Sequence, residues 1–167
     1  VGLAAQRGLR FSKAISYGNA LDFNECDYID YFAQDEETRI ILLYIEGVRN
    51  GKRFPEVLRQ AAKVKPVVVL KGGRGEAGTR ATASHTASMA GSREIWSSVT
   101  RQVGVITAKD IDELVDIAVA LHCLPPVKGP RVGVIGGSGG GSVLAADLCE
   151  EEGLDVVPLS QNIREEL

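Results

Sequence analysis

The sequence predicts an α/β fold, a parallel sheet flanked by helices, followed by the start of a second, similar α/β unit. Three observations predict it. Continuous apolar runs at residues 40–45 and 66–70 are too short for helices and rich in β-branched residues, as in strands buried on both faces. Stretches with helical periodicity alternate with these runs. A glycine-rich loop, residues 136–142, then joins a further apolar run to a further helical stretch.

Taken in order, residues 10–17 read as a strand, and residues 22–33 as a helix whose start is marked by Asn19, Asp22 and Asn24. Residues 40–45 give the first doubly buried strand, and 53–63 the next helix. Residues 66–71 give the second such strand, and 93–102, after Gly91 and Ser92, a helix. A short strand at 104–107 leads to a helix over 110–121, where Ile111, Leu114, Val115, Ala118 and Leu121 share one face and Asp110 is the natural N-cap. Strands spaced regularly between helices imply βαβ units and a flavodoxin-like parallel sheet over residues 1–124. The stretch 125–130 holds Pro125, Pro126 and Pro130 and reads as a linker. A second unit, residues 131–167, offers a strand at 132–135, the glycine loop, a helix at 143–152 and a strand at 155–159. So few strands cannot bury a parallel sheet on both faces, so this unit needs more chain or a partner. The chain opens at Val1 without a methionine and is expected to be a piece of something longer, truncated at both ends.

Composition narrows the function classes. With 44% hydrophobic and 25% charged residues the chain is ordinary for a soluble globular protein. No run approaches the roughly 18 apolar residues of a spanning helix, and no export signal is visible at the amino end. A net charge of -3, with Lys and Arg scattered among acids, gives no basic field for nucleic acid. Cys26, Cys123 and Cys149 are odd in number and far apart, as expected of free thiols in a reducing cytoplasm. His85 and His122 lie far apart with no ligand spacing around either, so no metal site is expected.

His85 sits in a glycine- and hydroxyl-rich run that begins at Gly72, directly after the strand at 66–71. Loops leaving the carboxyl ends of parallel strands are where such sheets place their chemistry. An imidazole there reads either as a nucleophile or proton carrier on a mobile loop or as an incidental surface histidine. Glu46 follows the strand at 40–45 and so ends on the same sheet edge. It reads either as a carboxylate that fixes the imidazole tautomer, leaving the other nitrogen to attack, or as a plain solvated acid. His122, at a helix end, reads as a partner of the helix dipole.

The loop of Gly136, Gly137, Ser138, Gly139, Gly140, Gly141 and Ser142 before a helix presents unpaired N–H groups and the positive dipole end, a site for phosphate or another anion. A tight structural turn is the plainer alternative. A dinucleotide fingerprint fits poorly, since Ser142 stands at the third glycine position and no acid closes the strand at 155–159. A nucleophile elbow fits Gly136-Gly137-Ser138-Gly139-Gly140 on paper, but a hydrolase places its histidine after the serine, and none follows Ser138 here. The Walker pattern is absent: Gly73 to Thr79 contains no Gly-Lys-Ser/Thr.

Several short motifs, taken in their order, are specific. They are Phe11-Ser12, Gly18-Asn19, Leu43-Tyr44-Ile45-Glu46-Gly47, Lys65-Pro66-Val67-Val68-Val69-Leu70-Lys71, Gly75-Glu76-Ala77-Gly78, Ala83-Ser84-His85-Thr86 with Ala90-Gly91-Ser92, Gln102-Val103-Gly104-Val105-Ile106, Leu144-Ala145-Ala146-Asp147 and Glu152-Gly153-Leu154. Through them nearly the whole chain resembles the NDP-forming (ADP-forming) acyl-CoA synthetases of the succinyl-CoA synthetase-like superfamily.

The resemblance implies a phosphohistidine relay that interconverts acyl-CoA, NDP and phosphate with organic acid, CoA and NTP. It implies His85 as carrier, Glu46 as the acid that orients it, and the Gly136 to Ser142 loop as the second of two helix-terminus phosphate cradles. The first cradle, the CoA-binding domain and the ATP-grasp domain or subunit would lie outside this chain and bind most of the CoA and of the ATP or ADP with Mg²⁺. Alone, the chain is then expected to be inactive, and the assembly to be oligomeric and cytoplasmic. Ala87 stands where the family has glycine after His-Thr. A non-catalytic regulatory module, like the synthetase-like regions fused to protein acetyltransferases, is the competing expectation, and a serine hydrolase using Ser138 the third.

Overall fold

The computed structural model describes residues 1–73, 75, 78 and 93–166. Contacts between Cα atoms divide the chain into two compact units, Val1–Leu124 and Pro125–Leu167.

The first unit is built on a parallel three-stranded sheet in the order β1-β2-β3, with β1 at Ile41–Ile45, β2 at Val67–Lys71 and β3 at Ile106–Ala108. Its helices are α1 (Gly2–Gln6), α2 (Glu25–Gln34), α3 (Arg53–Val64), α4 (Arg93–Val103) and α5 (Ile111–Cys123). Central β2 is buried along its whole length, which is why five consecutive residues of it are apolar or enclosed. Alternation then sorts the side chains by face. Val67 and Val69 join Ile41, Leu43 and Ile45 in a core with Phe54, Val57, Leu58 and Ala61 of α3 and with Cys26 and Ile29 of α2. Val68 and Leu70 pack on the other face with Ala108 and with Leu114 of α5.

Local signals set the helix boundaries. Asn24 caps α2 by accepting from the Cys26 N–H at 2.9 Å, while Asp27 accepts from the Asn24 N–H at 3.0 Å, a reciprocal capping box. The helix therefore starts at Glu25, three residues later than the sequence pattern suggests. Arg53 of α3 bridges Asp27 and Asp30 of α2, each at 2.6 Å. Asp110 caps α5, accepting from the Glu113 N–H at 2.8 Å. Leu114, Val115 and Ala118 form the buried stripe, but Ile111, expected on it, is exposed.

Residues 10–17 are not a strand. No backbone hydrogen bond joins them to β1; side chains hold them instead. Ser12 Oγ lies 3.2 Å from Thr38 Oγ1, and Lys13 pairs with Asp35 at 3.0 Å before β1 begins, whereas the Arg49 guanidinium bonds the Asn19 carbonyl at 2.9 Å beyond its end. The segment and β1 both line a cavity of about 910 Å³. A segment without a neighbour to share its ladder is not a strand, however apolar its pattern.

The second unit is a small βαβ motif. Strands β4 (Arg131–Val132) and β5 (Asp155–Val156) pair in parallel around α6 (Gly139–Glu151), and α7 (Gln161–Glu166) follows. The strands are two residues long, shorter than expected, and Ile135 is exposed. The helix begins four residues earlier than expected, so Gly139, Gly140 and Gly141 form its first turn. Among the described residues no helix is long and apolar enough to cross a membrane.

Candidate functional site

Parallel pairing aligns Ile45 with Lys71, which sets the next residues, Glu46 and Gly72, side by side at the carboxyl edge of the sheet. The Gly72 N–H donates to the Ile45 carbonyl at 2.9 Å, extending the contact past the strand ends. His85 itself lies outside the described residues, so the structure places the start of its segment, at Gly72 and Gly73, beside Glu46.

The junction is close-packed. A Cβ on Gly72 would sit 2.7 Å from the Tyr44 hydroxyl and 3.3 Å from Glu46 Cγ, so a larger residue here would displace the Tyr44 side chain. Gly73 follows with φ 67°, a left-handed conformation that favours glycine. The Tyr44 hydroxyl donates to Glu46 Oε1 at 3.3 Å. Burial, and then the Glu46 charge, push the Tyr44 phenol above its ordinary range, so it stays a donor.

Lys71 is the residue that sequence reasoning missed. The pattern makes it the last residue of an apolar strand, yet its ammonium is buried and donates to the Glu46 carbonyl at 2.6 Å and to the Gly72 carbonyl. The same nitrogen lies 5.8 Å from the centre of the Trp96 ring, which stacks on Phe54. Burial lowers the Lys71 pKa, and the Glu46 charge opposes that shift. The available signal is its face: two residues beyond Val69, Lys71 points into the core shared with α3 and α4.

Further support for the Glu46 turn comes from Glu25, also missed. It is 2% exposed, and its Oε1 accepts the Arg49 N–H at 2.8 Å. Its Oε2 is buried without a hydrogen-bond partner. Burial, followed by the Glu25 charge, raises the Tyr17 phenol to about 12 and the Cys26 thiol to about 11. Both therefore stay neutral near pH 7. A carboxylate at Glu46, held at backbone and side chain, can accept the N–H of an imidazole and fix its tautomer.

The glycine loop of the second unit has a different geometry. Ser138 is the N-cap of α6: its Oγ accepts from the Gly141 N–H at 3.3 Å, and Ser142 Oγ donates to the Ser138 carbonyl at 3.1 Å. A Cβ on Gly136 would collide with Ser142 Oγ, which keeps Gly136 and Gly137 as the turn before the cap. Beside Gly139 and Gly140 there is open space, with nothing within 4 Å of an added Cβ. The first-turn amides of a helix are in general able to bind an anion. Ser138 is thereby engaged as a cap, and no imidazole in the second unit could activate it. His122 lies exposed in the last turn of α5, where its charge would complement the dipole. Among the described residues, no three His, Cys, Asp or Glu side chains are grouped to hold a metal ion.

The family model for the succinyl-CoA ligase like flavodoxin domain matches residues 1–121. The alpha subunit of ADP-forming acetate–CoA ligase I from Pyrococcus furiosus is 46% identical over 143 residues, covering 86% of this chain and 31% of that protein. The alpha subunit of ligase II from the same organism is 44% identical over 157 residues, covering 94% and 34%. A solved structure of the dinucleotide forming acetyl-coenzyme A synthetase 1 of Ca. Korarchaeum cryptofilum, in complex with phosphate and ADP, matches with a TM-score of 0.89. It is 33% identical and covers 99% of this chain and 36% of that one. The chain thus spans about a third of the length of these relatives. With the motif order, the parallel sheet and the family model in agreement, the chain belongs to the succinyl-CoA ligase like flavodoxin domain family.

Proposed function

We propose that this chain is the phosphoryl-carrying part of an NDP-forming acyl-CoA synthetase, an acid–thiol ligase that interconverts acyl-CoA, NDP and phosphate with organic acid, CoA and NTP. The observation that carries the proposal is the adjacency of Glu46 and Gly72, where the segment bearing His85 leaves β2. Glu46 accepts one imidazole N–H of His85, and the other ring nitrogen takes the phosphoryl group from an acyl phosphate, releasing the carboxylate. The phosphoryl group then passes to a nucleoside diphosphate. The amides of Gly139 and Gly140, with the turn from Gly136 to Ser142, cradle phosphate on the nucleotide side. The relatives' names support ADP as acceptor and an acetate-like acid. Mg²⁺ accompanies the nucleotide. CoA and the nucleotide are held mainly by a CoA-binding domain and an ATP-grasp domain or subunit outside these residues, in an oligomeric cytoplasmic enzyme.

The test is labelling of the full-length ligase with γ-labelled ATP. An acid-labile, base-stable label that is lost in His85→Ala and reduced in Glu46→Gln is expected. A wild-type protein that takes no label favours instead a regulatory, non-catalytic module, a reading that the presence of both His85 and Glu46 in the sequence disfavours.

A further inference from the structure

Catalysis of this kind needs the orienting carboxylate at one fixed place, and a strand end by itself does not provide that. Glu46 is the first residue past β1, beyond the last paired position of the ladder. Among the described contacts, Lys71 makes the shortest bond to its main chain, 2.6 Å from ammonium to the Glu46 carbonyl. The same ammonium bonds the Gly72 carbonyl, so one buried charge ties the ends of two neighbouring strands. Trp96 of α4, stacked on Phe54 of α3, lies against the ammonium.

Resting on the function proposed above, the geometry points to Lys71 as a positioning residue that acts through Glu46. Its ammonium holds the Glu46 backbone level with the start of the segment that carries His85, so the carboxylate meets the imidazole in one orientation. A lysine is suited to this because three donors on a compact head can serve two carbonyls and face an aromatic ring at once. A buried ammonium is costly unless its hydrogen bonds are made, so the clamp is closed whenever the unit is folded. Lys71 touches no reacting atom in this scheme.

The test is a double-mutant cycle in the full-length ligase, following kcat and KM with acetyl-CoA, ADP and phosphate, alongside phosphohistidine labelling. Lys71→Met, an apolar side chain of similar length, is expected to lower kcat about tenfold or more while KM stays within about twofold, since orientation rather than binding is lost. In a Glu46→Gln background the same substitution is expected to cost less than about twofold, because the residue it positions is already disabled. Lys71→Arg, whose planar fork cannot reproduce both bonds, gives the same pattern and serves if the methionine variant does not fold. Far-ultraviolet circular dichroism and urea denaturation report the folded fraction. The inference is overturned if kcat is unchanged, if the loss matches the unfolded fraction, or if it is as large in the Glu46→Gln background as in the wild type. A wild-type enzyme that is active but takes no histidine label sinks the relay itself, an outcome distinct from failure of the clamp.

Discussion

The Glu25 carboxylate, enclosed at the start of α2, accepts the backbone N–H of Arg49 at 2.8 Å and so fixes the chain just after Glu46. Its second oxygen has no partner, so the single bond must offset much of the cost of burying the group. Glu25→Ala leaves the Arg49 N–H unpaired and is expected to lose about 1–3 kcal/mol of stability. Urea denaturation reads this directly; an unchanged midpoint would show that the bond contributes nothing.

Gly72→Ala forces a methyl group against the Tyr44 hydroxyl, at 2.7 Å, and against Glu46 Cγ. Overpacking of this kind costs about 1–3 kcal/mol. Ligase activity should fall further than the thermal midpoint implies, because Tyr44 and Glu46 must move. Removing the hydroxyl relieves the closest contact, so Gly72→Ala with Tyr44→Phe is expected to recover part of both. A double variant no better than the single one contradicts the contact.

Asp27 accepts the Asn24 N–H and pairs with Arg53 at 2.6 Å, and these bonds, the backbone one first, hold its carboxyl below the usual range. A carboxyl depressed in the folded state contributes stability that is complete above its unfolded value, about pH 4, and is lost as pH falls through its folded value. On acidification below about pH 4 the urea midpoint of the wild type should fall more steeply than that of Asp27→Asn. Equal slopes would mean that the capping box and the Arg53 bridge do not set the acid limit.

Nothing in α6 is buried, and β4 and β5 are two residues each. A single βαβ unit with Val143, Leu144 and Leu148 exposed has no core to make unfolding cooperative. The peptide 125–167 is expected to show a broad, non-cooperative thermal change by circular dichroism. A sharp transition would reveal packing that the unit does not display.

Much of this was legible in the residues. The apolar runs of β1 and β2 are legible because residues 41–45 and 67–70 are all apolar; β2 is buried on both faces, whereas β1, expected to be, leaves Tyr44 exposed. Asp110 marks the start of α5, since a cap is a local hydrogen bond. The placement of Glu46 on the edge from which the His85 segment departs follows from two parallel strands in succession. Lys71 and Glu25 were not legible, for a charged residue beside apolar ones reads as solvated unless its partners, far off in sequence, are known.

The sequence by itself determined the alternation of strands and helices, hence a parallel sheet and the edge at which Glu46 and the His85 segment leave it, because those rest on periodicity and on contacts between near neighbours in the chain. Tertiary structure alone decided that residues 10–17 stay out of the sheet, that Lys71 turns inward across Trp96, and that Gly72 packs under Tyr44. Each of those outcomes depends on whether a distant backbone or ring stands within hydrogen-bonding or van der Waals reach, and no local pattern encodes that distance.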